Sequence, residues 1–106
     1  MVAESLLTEV TRRLVEQFAP TRIILFGSQA RGTADDRSDV DLLVVCRVTG
    51  RKRDAMVAMD RALGGLGIAR DVIVQTPQEF ERDRHIPGTI ARPAALEGRI
   101  LHDSVA

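Results

Sequence analysis

One run constrains the chain more than any other feature: Asp39-Val40-Asp41-Leu42-Leu43-Val44-Val45. It is rich in β-formers and apolar except for two carboxylates at its start. A buried or half-buried carboxylate is costly unless something pairs with it. Side chains alternate along a strand, so Asp39 and Asp41 point the same way. At a rise of roughly 3.3 Å per residue their Cα atoms lie about 6–7 Å apart. Two carboxylates so placed converge on a shared cation or an arginine, or else begin the strand in solvent.

Two further runs are strand-like, Arg22 to Phe26 (RIILF) and residues 68–75 (IARDVIVQ). Helical periodicity fills the intervals. Ala3, Leu7, Val10, Leu14 and Phe18 recur at spacings of three and four, predicting a helix over residues 2–19 that Pro20 stops. Gly27 breaks the chain after the first strand, a short turn of helix follows over residues 28–32, and residues 33–38 read as a polar loop. The second strand covers residues 39–47. Residues 51–64 are helical through Ala55, Met56, Met59 and Leu63, with the methionines in the core.

Thr76-Pro77 opens a helix over residues 77–84, with Thr at the N-cap, Pro in the first turn and Glu79 at the third position. Pro87-Gly88 is a break. Thr89 to Glu97 is helical, with Pro93 near its start or kinking it. Gly98 caps that helix, and residues 99–102 form a last short strand. The order α-β-(turn)-β-α-β-α-α-β defines an α/β or α+β domain with helices packed on a small sheet.

A length of 106 residues fits one domain, residues 1–106. Formal net charge is zero, so no global field draws the chain to nucleic acid or to a membrane. Without Trp or Tyr, only three Phe remain for base stacking. The lone cysteine, Cys46, excludes an internal disulfide and a cysteine zinc cluster, and it reads as a small core residue. The chain shows no signal-peptide pattern and no apolar run near the roughly 18 residues that span a bilayer. A cytoplasmic location is expected. His85 and His102 lack metal-ligand spacing. Arg51-Lys52-Arg53 reads as a solvated helix start, with a partner contact as the alternative.

The carboxylates carry the chemistry. Oxygen-only ligands with open positions suit Mg²⁺. A two-metal site needs ions about 3.5–4 Å apart, and Asp39 and Asp41 could bridge such a pair. Asp71 interrupts an otherwise apolar strand as they do. Beside them it would hold a metal that activates an acceptor hydroxyl, or act as a base. Alternatively it pairs with Arg70 or another arginine at a sheet edge. Gly27-Ser28, between a strand and a helical turn, can aim backbone N–H groups at an anion, and Arg31 adds charge or braces the loop. Neither a Gly-Lys-Ser/Thr phosphate loop nor Gly-x-Gly-x-x-Gly is present.

Gly27-Ser28, then Asp39-x-Asp41, then a strand-borne Asp71, resembles the nucleotidyltransferase signature of the DNA polymerase β superfamily. The likeness runs through GSQARG, SDVDLLVV, RDVIVQTPQEF and EGRILHD, almost the whole chain. It is similar to the stand-alone minimal nucleotidyltransferases. The resemblance implies a mixed β-sheet flanked by helices with the site at one end of the sheet. It implies Gly27 and Ser28 on the nucleotide's terminal phosphates, with Arg31 beside them. It also implies two Mg²⁺ on Asp39 and Asp41, and Asp71 completing the site of the ion that activates the acceptor. A hydroxyl would attack the α-phosphate of an NTP, ATP by the resemblance, and release pyrophosphate. A continuous C-terminal helix would be expected where Pro93 stands.

Minimal enzymes of this type occur beside small helical HEPN proteins as toxin–antitoxin pairs, the transferase being the antitoxin that attaches AMP to its partner. Such a partner is implied here by the resemblance alone. The alternatives are an inactive antitoxin that acts by contact, which should have lost a carboxylate, and transfer to a small molecule, which usually needs a second lobe that only a dimer could provide here. Transfer to RNA is weaker, given the charge and the scarcity of aromatics.

Overall fold

A computed structural model describes residues 2–35 and 38–104. Asp36 and Arg37 of the expected polar loop lie outside the described residues. Helix α1 (Glu4–Phe18) buries Leu7, Val10 and Leu14 on one stripe. It ends where Ala19 turns left-handed at φ 47°, directly before Pro20. Strand β1 (Arg22–Phe26) leads through Gly27 into α2 (Ser28–Arg31). Then come β2 (Val40–Val45), α3 (Lys52–Ala62), β3 (Arg70–Gln75), α4 (Pro77–Asp83), α5 (Ala91–Glu97) and β4 (Arg99–Asp103).

The four strands form one mixed sheet in the order β3-β2-β1-β4. β1 runs antiparallel to β2 and to β4, while β2 and β3 are parallel. Parallel neighbours need a crossover, and α3 supplies it. The central strands bury both faces. Ile23, Leu25, Leu42, Val44 and Val72 pack with the apolar stripe of α1 and with Met59 of α3. Ile24, Leu43 and Val45 meet Phe80 of α4 and Ala91 and Ala94 of α5 on the other face. The result is a three-layer α+β fold, the mixed sheet flanked by helices that the resemblance implies.

Local chemistry fixes the joints. Arg13 of α1 donates to the carbonyls of Ala62 and Gly64, satisfying the end of α3 and locking the two helices together. Thr76 and Glu79 form a reciprocal capping box at α4. Thr76→Ala is expected to cost about 1 kcal/mol, read as a lower urea midpoint at unchanged slope. Pro93 occupies the third position of α5, where a backbone N–H has no intrahelical acceptor, so its ring is accommodated in the first turn. Gly98 follows, packed so closely on Ile24 and on the Ala94 carbonyl that a Cβ there would overlap both.

Candidate active site

The register of the sheet assembles the site. Phe26 of β1 lies opposite Asp41 of β2, and Asp41 lies opposite Asp71 of β3. Directly paired residues share a face, so these three side chains form one row across three strands, on the side of α4 and α5. Burial agrees: Val40, Leu42 and Val44 face α1 and α3, leaving Asp41 with Leu43 and Val45 on the opposite face.

Gly27 follows Phe26 and closes on the row. Its backbone, at φ 72° and ψ −154°, lies in a region that is essentially glycine-only. A Cβ on it would overlap Oδ2 of Asp41. Glycine is therefore required twice at this position, for the backbone turn and for the carboxylate. Ser28 then starts α2, and the Gly27 carbonyl accepts from the N–H groups of Ala30 and Arg31, each at 3.1 Å. The N–H groups of Ser28 and Gln29 head this turn without intrahelical acceptors.

Asp39 sits one residue ahead of β2 and is exposed. The predicted strand began at this residue; the ladder instead begins at Val40, whose N–H donates to the Ala69 carbonyl. Asp41 is half-buried. Burial pushes its carboxyl above the usual carboxylate range, the nearby Asp71 and Asp39 push it further, and Arg31 opposes them. Arg70 does not hold Asp71: its Nε donates to Asp60 Oδ1 at 2.9 Å. Arg31 reaches Glu97 of α5 at 3.8 Å, with both side chains about half exposed, so the pair is a loose brace. Among the described residues, no three His, Cys, Asp or Glu side chains converge into a ready metal cage. Asp39, Asp41 and Asp71 instead lie on a loop and two neighbouring strands along one edge.

Gln29 is the residue that sequence reasoning missed. It is buried at 6% exposure, the one buried polar side chain among the described residues. Its Oε1 accepts from the Val2 N–H at 3.0 Å, and its Nε2 donates to the Ser38 carbonyl at 3.3 Å. It thereby ties the turn carrying Gly27 and Ser28 to the residue preceding Asp39. A four-residue helix is too short for periodicity to mark its inward side. Gln29→Met keeps the length of the side chain and removes both bonds. The unmatched groups are expected to cost about 1–3 kcal/mol, measured by chemical denaturation.

Residues 7–101 match the family model of the nucleotidyltransferase domain. The chain belongs to the nucleotidyltransferase domain family. Its fold resembles the crystal structure of a Sulfolobus solfataricus protein described as a candidate nucleotidyltransferase. The two are 30% identical with a TM-score of 0.59, over 74% of this chain and 70% of that one. No curated protein matches the sequence. This nucleotidyltransferase-domain protein is thus of a class that moves nucleotidyl groups from an NTP, generally with a divalent metal. Among the described residues no helix is long and apolar enough to cross a membrane.

Proposed function

We propose that this nucleotidyltransferase-domain protein moves AMP from ATP to a hydroxyl of a protein partner, releasing pyrophosphate. The partner is a helical HEPN-type toxin, and the protein acts as its antitoxin. The observation that carries the transfer reading is the row of Asp41 and Asp71 with Gly27 pressed against the Asp41 carboxylate. That arrangement sets the Gly27–Ser28 turn beside two acidic groups and allows nothing larger than hydrogen on Gly27. The partner and the choice of ATP rest on the sequence resemblance.

The donor set suits Mg²⁺. Asp41 is a half-buried carboxyl beside two others, and no ion pair reaches Asp39, Asp41 or Asp71 among the described residues. Mg²⁺ is usually held by a few carboxylates together with substrate phosphates, so the nucleotide would complete the coordination that these side chains leave open. Asp39 and Asp41 would hold two ions, with Asp71 completing the site of the one nearer the acceptor. When bound, these ions supply charge neutralisation to the phosphates and to the acceptor oxygen.

The chain's own residues do the rest. Backbone N–H groups of the Gly27–Ser28 turn and the Ser28 hydroxyl hold the terminal phosphates, and Arg31 adds positive charge beside them. Asp71 takes the hydroxyl proton as the acceptor oxygen bonds to the α-phosphorus. The bond from that phosphorus to the bridging oxygen breaks, and pyrophosphate leaves.

The test is label transfer from α-labelled ATP with Mg²⁺, with and without an extract of the source cells, with Asp41→Asn as control. Label on one protein, lost in the variant, is expected, and mass spectrometry then gives the partner. Label on RNA or on small molecules alone refutes the protein acceptor. If Mg²⁺-dependent nucleotide binding is absent too, inhibition by contact replaces transfer.

A further inference from the structure

We infer that the acceptor enters as an extended polypeptide segment added to the free edge of β3, with its hydroxyl-bearing residue opposite Asp71 and acidic or apolar residues on either side of it. The inference rests on the transfer reading above and supplies the acceptor class. β3 ends the sheet. Its inner ladder uses alternate residues: Ala69 and Gln75 accept from Val40 and Cys46 at 2.9 Å each. In a parallel pair the N–H and C=O of the intervening residues, Arg70, Val72 and Val74, therefore point away from β2. No described element pairs with that edge.

Strand addition at this edge extends the existing row. Asp41 lies opposite Asp71, so a residue opposite Asp71 on an added strand projects to the same face, one strand spacing of about 4.8 Å further on. The row then reads Asp41, Asp71, acceptor hydroxyl. This holds for either direction of the added strand, because facing residues share a face in both.

Neighbouring residues of the added strand project the other way, toward α3. A groove of about 370 Å³ lies there, between α3 and the start of β3. Arg53 and Arg61 line it, exposed and without an ion pair among the described residues, while Arg70 is already committed to Asp60. Between the arginines stand Met56 and Val57, the latter 45% exposed. Asp71 reaches the groove at the sheet edge, and beyond it two unmatched cations around an apolar floor fit an acidic peptide with an apolar contact. The Asp60 carboxylate on the rim and the zero net charge disfavour a polyphosphate chain. Arg53, from the basic start of α3 that the catalytic residues leave unused, thus acquires a role in recognition.

The test uses the whole protein, Mg²⁺, α-labelled ATP and synthetic ten-residue peptides with a central Tyr, Thr or Ser. Peptides with Glu beside the central residue are expected to label at least ten-fold better than those with Lys. Arg53→Glu with Arg61→Glu, both on exposed positions, should reverse that preference. N-methylation of alternate peptide amides should abolish labelling in one phase and spare it in the other, as a strand requires. Labelling indifferent to flanking charge and to the phase of N-methylation overturns the inference, as does label on RNA only. Pyrophosphate release to water that Asp41→Asn abolishes, with no peptide labelled, overturns the groove alone. Absence of Mg²⁺-dependent ATP binding overturns the transfer reading and the groove together.

Discussion

Gly27→Ala is expected to destabilise the protein and to disable the site together. The backbone there is left-handed and extended in ψ, a conformation costing a non-glycine residue about 1–3 kcal/mol. For a domain of this size, that alone lowers Tm by at least about 4 °C. The added methyl also overlaps Oδ2 of Asp41, so the carboxylate must rotate out of its row. A displacement near 1 Å at a reacting centre costs about 100-fold in rate. The two effects are separable. In Gly27→Ala combined with Asp41→Ala the overlap is gone and only the backbone strain remains. The double variant should therefore be more stable than the sum of the single changes predicts, a coupling of about 0.5 kcal/mol or more. Additive stabilities would show that Gly27 and Asp41 do not press on each other.

This coupling also shows where sequence reading stops. Gly27 is visible as a break after an apolar run, and β1 is found at Arg22–Phe26 as predicted, because periodicity and turn residues are local signals. That its hydrogen faces Asp41 depends on the register of β1 against β2, which is tertiary. The same holds for Asp41 opposite Asp71: each is legible as a carboxylate interrupting an apolar strand, but their adjacency requires the parallel crossover through α3. Element ends shift for identifiable reasons. The predicted helix began at residue 2, yet the Val2 N–H is taken by Gln29 and α1 starts at Glu4. The predicted second strand ran over 39–47. It is shorter because its partner β3 spans Arg70–Gln75, which leaves Asp39 on the approach loop and Arg47 past the ladder. Pro93 reads as a start or a kink, and its place in the first turn decides for the start. Gln29 had no local signal, because its partners lie 27 and 9 residues away.

Asp41→Asn is expected to raise the stability of the metal-free protein while abolishing transfer. Changes to groups that merely orient metal ligands cost 10–100-fold, so loss of a charge proposed to coordinate the metal directly should lower turnover by more than about 100-fold. Stability moves the other way. The Asp41 carboxyl is pushed above its ordinary range by burial, then by Asp71 and Asp39. The native state thus holds that proton more tightly than the unfolded chain does. Below the ordinary carboxylate value, roughly pH 4, the group is protonated in both states and costs nothing. As pH rises from there through the raised native value, the unfolded chain ionises first, so stability falls and stays lower at neutral pH. Asparagine cannot ionise and escapes this loss. Its Tm at pH 7 without metal should exceed that of the parent protein, and the advantage should disappear on titration toward pH 4. With Mg²⁺ and ATP added the order should invert. Bound ligand stabilises the parent by mass action, whereas the variant, lacking the charge, gains little. A variant no more stable than the parent at pH 7 would show that neither burial nor the nearby Asp71 and Asp39 disfavours the Asp41 carboxylate. A ligand-induced rise in Tm equal in both proteins would place the metal elsewhere.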